Sequence, residues 1–183
     1  MGTLYLLRHG ETEYHAQGRL LGRLDIGLNE RGHEQARRVG EHFAAIELAA
    51  VYTSPLRRCR ETAAPAAQAR GLEVVALDGL MEVDMGEWDG REVKELFASE
   101  GELVGSWMAN PASVLAATRE VISRHPGEEK VLVVTHGGPI RGIICAALGM
   151  ELDHMFKLQI DLASISAIKY FERGIPDTAV VTL

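Results

Sequence analysis

Short apolar runs alternate with amphipathic stretches along the chain, and the runs end abruptly in polar residues. Leu4-Tyr5-Leu6-Leu7 stops at Arg8-His9-Gly10. Ala49-Ala50-Val51-Tyr52 stops at Thr53-Ser54-Pro55, and Lys130-Val131-Leu132-Val133-Val134 stops at Thr135-His136-Gly137-Gly138. Each run reads as a short buried strand. Between them the apolar spacing is helical. Ala36, Val39, Gly40 and Phe43 make the buried stripe of a helix over 30–45, with Asn29 as N-cap. Leu56, Cys59, Ala63, Ala66 and Ala67 make that of a second helix, with Ser54 as N-cap, Pro55 at its first position and Gly71 as its stop.

Further along, the pattern predicts a strand over 73–77, a short helix over 91–97 and a helix from a Ser113 cap to about Arg124. Another helix runs from Pro139 to Leu148, ended by Gly149. The runs 163–171 and 178–183 flank the turn cluster Gly174-Ile175-Pro176-Asp177 and read as a hairpin-like sheet edge. Two stretches carry no pattern. The loop 13–26 is polar, glycine-punctuated and long enough to be functional. The loop 78–90 is rich in acids and glycine, with Trp88 expected to anchor it by packing.

Three strand ends that deliver two histidines and several arginines change the picture from fold to chemistry. In an open α/β sheet, ligands bind just past the carboxyl ends of the strands. If the three strands are parallel neighbours, His9, His136, Arg8 and the arginines after Ser54 converge on one pocket in a three-layer α/β/α domain spanning 1–183. Guanidinium forks match phosphate oxygens, and an imidazole can attack or donate. Arg58 lies in the first turn of its helix, near the positive end of the dipole, which suits an anion. Arg57 and Arg60 point elsewhere around the helix and read as solvated. His33 and His42 read as solvated helical residues, since their spacing matches no ligand pair on one helical face.

Composition narrows the ligand. The net charge is −7 and the pI about 5.5, so nucleic acid is not an expected partner; a small phosphorylated metabolite is. Two cysteines, Cys59 and Cys145, build no disulfide framework and read as buried thiols. With no long apolar stretch and no signal peptide ahead of the first strand, the expectation is a cytoplasmic protein without membrane contact. A homodimer is left open.

The motifs together resemble the histidine phosphatase superfamily, the phosphoglycerate-mutase-like proteins. The resemblance rests on Arg8-His9-Gly10-Glu11-Thr12, Gly18-Arg19-Leu20-Leu21-Gly22, Ser54-Pro55-Leu56-Arg57-Arg58-Cys59-Arg60-Glu61-Thr62-Ala63, the acid loop Glu82-Val83-Asp84-Met85-Gly86-Glu87-Trp88-Asp89-Gly90, and Thr135-His136-Gly137-Gly138. These motifs stand in the family's order from about Thr3 to Leu148. The resemblance implies a mostly parallel central sheet and a phosphatase acting on a small phosphate monoester. It makes His9 the nucleophile that forms a phosphohistidine. Arg8 and Arg58 would hold the equatorial oxygens, His136 and the Gly137 N–H would donate to the oxygen gaining charge, and Glu82 would act as general acid and then base. No metal and no cofactor is called for.

The chain departs from the family's pattern in four places. His15 stands where Asn is common, so this phosphate contact would vary in charge with pH. Leu21 and Met81 replace residues that are often polar or basic, which disfavours substrates with a second phosphate or carboxylate. The Gly-Gly-Glu-Ser stretch before residue 114 is missing, so either the lid is short or a loop is absent from the chain. A cofactor-dependent phosphoglycerate mutase and a non-catalytic phospho-ligand-binding module stand as alternatives.

Overall fold

The computed structural model describes residues 1–96, 98–99, 112–170 and 181–182. The apolar runs become strands of one sheet: β1 (Gly2–Arg8), β2 (Ala50–Thr53), β3 (Val74–Ala76), β4 (Lys130–Thr135), β5 (Ile165–Tyr170) and β6 (Val181–Thr182). Their order across the sheet is β3-β2-β4-β1-β5-β6. The first four in that order are mutually parallel, while β5 runs antiparallel to β1 and β6 antiparallel to β5. The expected mostly parallel sheet with an antiparallel edge is therefore what forms.

Side-chain alternation along the strands explains the layers. Leu4, Leu6, Val131 and Val133 face one side and pack with Val121, Ile140, Ile143 and Ile144. These partners come from α4 (Ala112–Arg124) and α5 (Gly137–Leu148). Leu7, Val51, Leu132 and Val134 face the other side, against Val39, Phe43, Cys59 and Ala63. Those belong to α2 (Glu30–Ala44) and α3 (Arg57–Arg70). With both faces covered, the central strands read as continuous apolar runs rather than alternating ones. The Asn29 side chain accepts from the Gly32 N–H and caps α2 as expected. Gly71 and Gly149 end α3 and α5 in the left-handed conformation, at φ 64° and 63°.

Several boundaries differ from the sequence reading. α3 starts at Arg57 with Leu56 at the cap position, so Ser54 and Pro55 precede the helix. α5 starts at Gly137, before Pro139, and His136 occupies its cap position. Ser113 lies inside α4 rather than capping it. The loop 13–26 contains one helical turn, α1 (Glu13–Ala16), because the Thr12 hydroxyl accepts from the His15 N–H. The acid loop holds two 3-10 turns, Asp78–Leu80 and Gly86–Trp88. Its buried anchor is Met85; Trp88 is only half-buried. Residues 93–96 and 98–99 are helical, against the expected 91–97. The lid segment before residue 112 and the turn 174–177 lie outside the described residues. Among the described residues no helix is long and apolar enough to cross a membrane.

Phe43 is fully buried and meets the Tyr5 ring edge-on at 5.4 Å. Phe43→Ala should cost about 3–5 kcal/mol of unfolding free energy, read from urea denaturation, because neither ring nor helix can close the cavity.

Candidate active site

Strand register brings the chemistry together. Arg8 of β1 pairs with Thr135 of β4, and Thr53 of β2 pairs with Val134. The His9 N–H then donates to the Thr135 carbonyl at 3.0 Å, and the Ser54 N–H to the Val134 carbonyl at 3.0 Å. The residues after all three strands are thus locked at one level on the carboxyl edge of the sheet. The ring centroids of His9 and His136 lie 5.2 Å apart, and those of His9 and His15 5.1 Å.

His9 is buried, at 2% exposure. Its Nδ1 lies 2.7 Å from the Gly10 carbonyl, which can only accept, so Nδ1 carries the proton and the lone pair sits on Nε2. Burial, then the Arg58 and His15 charges, hold its pKa well below the ordinary value despite that hydrogen bond. The ring is neutral at neutral pH. His136 is depressed for the same reason: burial first, then Arg58 and His9. Its Nδ1 lies 3.2 Å from Arg58 Nη2 and its Nε2 2.8 Å from the Ser54 hydroxyl. Ser54, read from sequence as a helix cap, is therefore a site residue.

Arg58 has no exposed surface. Its Nη1 donates to the Leu24 carbonyl at 2.8 Å and its Nη2 to the Gly22 carbonyl at 2.6 Å. Those two carbonyls are fixed by one carboxylate: Asp89 accepts from the Gly22 N–H at 2.8 Å and from the Leu24 N–H at 2.9 Å. Asp89, which the sequence showed only as one acid of a loop rich in them, thus shapes the cradle of Arg58. Arg8 donates from Nη1 to the Ile160 carbonyl at 2.6 Å. Both Arg8 and Arg58 keep a buried Nε without an acceptor among the described residues. Two buried donors left unanswered on adjacent cations favour an anion between them.

Glu82 is buried at 8% exposure. Its oxygens accept from Val83 N–H at 3.1 Å and Gly138 N–H at 3.4 Å. Burial nevertheless outweighs these bonds and the arginine charges, and raises its pKa above the ordinary carboxylate value. A Cβ on Gly138 would fall 2.6 Å from Glu82 Oε1, so only glycine allows this approach. From Glu82 a cleft of about 530 Å³ opens, lined by Arg23, Met81, Val83, Pro139 and Met155 among others. Leu21 is buried and is not part of that lining.

The structure places His9, Arg8, Arg58, His136, Glu82, Gly137 and His15 around one centre. His15 bonds Thr12 Oγ1 through Nδ1 at 2.8 Å. Burial, then Arg8 and Arg58, push its pKa down to about 4, so it stays neutral where it was expected to change charge. Arg57 and Arg60 are exposed, as are His33 and His42. Cys59 and Cys145 are buried free thiols. Among the described residues no three His, Cys, Asp or Glu side chains group to hold a metal ion. Sequence reasoning missed Ser54, Asp89 and Arg141; the last is the only charged side chain in α5 and lies beside Arg8 at Gly137.

A three-layer α/β/α fold with two neutral imidazoles, two buried guanidiniums and a protonatable carboxyl at the sheet edge defines a phosphoryl-transfer pocket. The family profile of the histidine phosphatase superfamily (branch 1) matches residues 4–178, and the chain belongs to that superfamily. Phosphoserine phosphatase 1 of Hydrogenobacter thermophilus is 36% identical over 188 residues, covering 94% of this chain and 89% of that protein. A probable phosphoglycerate mutase of Klebsiella pneumoniae is 30% identical over 185 residues, covering 91% and 84%. The solved structure of phosphoserine phosphatase from Entamoeba histolytica with 3-phosphoglyceric acid superposes with a TM-score of 0.80 at 27% identity, covering 100% and 96%.

If Asp89 acts by shaping the Arg58 cradle, Asp89→Ala should lower kcat/KM by roughly tenfold to a hundredfold, the size of other supporting-residue losses. In an Arg58→Lys background the same change should add little. Kinetics of the two single variants and the double variant, with melting temperatures as a fold control, check it.

Proposed function

We propose that the protein hydrolyses small phosphate monoesters through a phosphohistidine on His9. One observation carries the reading: the Nδ1–H of His9 is committed to Gly10, which aims the Nε2 lone pair among guanidiniums whose Nε donors lack acceptors. Nε2 attacks phosphorus in line, forming the N–P bond as the P–O bond to the alcohol breaks. Arg8 and Arg58 hold the equatorial oxygens. Glu82 gives its proton to the departing alkoxide. Water then attacks phosphorus, the Glu82 carboxylate takes its proton, the N–P bond breaks and inorganic phosphate leaves.

His136 needs its proton on Nδ1 to donate to the phosphoryl group, and Ser54 makes that available. A hydroxyl donates as readily as it accepts. With Arg58 turned to the phosphoryl oxygens, the Ser54 O–H donates to Nε2 and the Nδ1–H of His136 points at the anion, beside the Gly137 N–H. His15 contributes as a neutral donor over the working range.

The pH dependence follows from two opposed demands. His9 must be neutral, and its depressed pKa puts the acid limb well below the ordinary histidine value. Glu82 must be protonated, and its raised pKa puts the basic limb above the ordinary carboxylate value. Activity should therefore rise as pH climbs through the His9 pKa and fall as it climbs through that of Glu82. Glu82→Gln should remove the basic limb and cost about 10²–10⁴ in kcat for an alkyl phosphate. With p-nitrophenyl phosphate, whose leaving group needs no proton, the loss should be small. Phosphate release across a panel of monoesters, with and without a bisphosphoglycerate primer, checks the reaction class; isomerisation that depends on the primer would assign a mutase instead.

A further inference from the structure

Arg141 is a half-buried cation that the phosphoryl-transfer steps do not use. It stands in the first turns of α5, its Nε donates to the Leu158 carbonyl at 2.8 Å, and Arg8 is braced two residues on by the Ile160 carbonyl. One short segment thus holds both guanidiniums. They meet at Gly137: a Cβ there would fall 3.1 Å from Arg141 Nη1 and 3.4 Å from Arg8 Nε. Burial, then Arg141 and Arg58, act against the Arg8 charge, while Glu82 and Asp161 favour it. Among the described residues no carboxylate pairs with Arg141. Glu82 favours both charges from a distance, but among the described residues no carboxylate is bonded to either guanidinium, which leaves them free to take an anionic ligand.

The position of Arg141 relative to Glu82 says which anion. Glu82 lies against Gly138 and Arg141 against Gly137. Consecutive Cα atoms are about 3.8 Å apart. A group held by Arg141 is therefore only a few bonds from the oxygen that Glu82 protonates. Arg23, the cation in the lining of the cleft, is less suited: it is half-exposed and already lies 3.8 Å from Asp84.

Resting on the phosphatase reading, we propose that Arg141 is the specificity-determining residue that binds a carboxylate on the leaving alcohol, so that the substrates are phosphate monoesters of small hydroxy acids. The guanidinium fork matches a planar carboxylate in a way an ammonium does not. This goes against the expectation drawn from Leu21 and Met81: the cation assigned to the carboxylate comes from α5 and stands against Gly137, next to the cleft that Met81 and Gly138 line.

The test compares phosphoserine with phosphoethanolamine, which differs only by lacking the carboxylate, and adds 3-phosphoglycerate and p-nitrophenyl phosphate. In the native enzyme KM for phosphoserine should be at least tenfold below that for phosphoethanolamine. Arg141→Gln and Arg141→Lys should raise KM tenfold or more for phosphoserine and 3-phosphoglycerate, with little change in kcat. Neither variant should alter turnover of phosphoethanolamine or p-nitrophenyl phosphate. Equal losses on all four substrates, or no loss on any, would overturn the assignment. So would equal native KM values for the serine and ethanolamine esters, which needs no variant to fold. A native enzyme that releases phosphate from none of the four would instead refute the phosphatase reading itself.

Discussion

Arg58 is a permanent cation with no exposed surface, and the arrangement around it answers that constraint. Taking a guanidinium out of water costs several kcal/mol unless its donors are met. Here they are met by neutral carbonyls, Gly22 and Leu24, rather than by a carboxylate. The two terminal nitrogens are satisfied by neutral groups and Nε is left without an acceptor among the described residues, while Glu82, Asp89 and Asp25 act on the charge only from a distance. Arg8 is handled the same way through Ile160. The resulting positive field has two effects with one origin. It attracts a phosphate to the unanswered Nε donors, and with burial it keeps His9, His136 and His15 unprotonated. A charged imidazole could not attack phosphorus, so in the proposed mechanism the field that draws the phosphate in also keeps His9 ready to attack.

The sheet supplies the precision. Parallel β2, β4 and β1 end at one level because their registers are fixed by fully apolar interiors on both faces. A one-residue slip would turn each strand inside out, so the apolar pattern itself guards the site geometry. The start of α5 then brings Gly137 and Gly138 against Arg8 and Glu82, where any side chain would crowd them. Glu82 is raised by burial alone, against two nearby arginines. It sits far enough into the protein to hold a proton and near enough to the cleft to give it away.

Much of this was legible in the sequence because cations and imidazoles set at the ends of buried apolar runs stand at the sheet edge, where ligands bind. His9, Arg8 and His136 announce themselves that way. Arg58 was separable from Arg57 and Arg60 by the direction in which it leaves the first helical turn. Glu82 was not legible from its own surroundings, an acid among acids, and came only from the resemblance. Ser54 looked like a helix cap because Ser-Pro so often is one; the turn at Leu56 starts the helix two residues later and frees the hydroxyl for His136. Asp89 acts through backbone amides 65 and 67 residues away, a contact no local pattern encodes. Arg141 did leave a signal, a single charge in an otherwise uncharged helix.

The central claim is that His9 Nε2 becomes covalently phosphorylated. Mixing the enzyme with substrate, quenching within milliseconds in alkali and mapping the phosphoryl group by mass spectrometry tests it directly. The expected result is a phosphoryl group on the peptide containing His9, attached at Nε2, stable in base and lost in acid. An enzyme that turns over substrate with no such adduct, or one that carries it on His15 or His136, would contradict this mechanism.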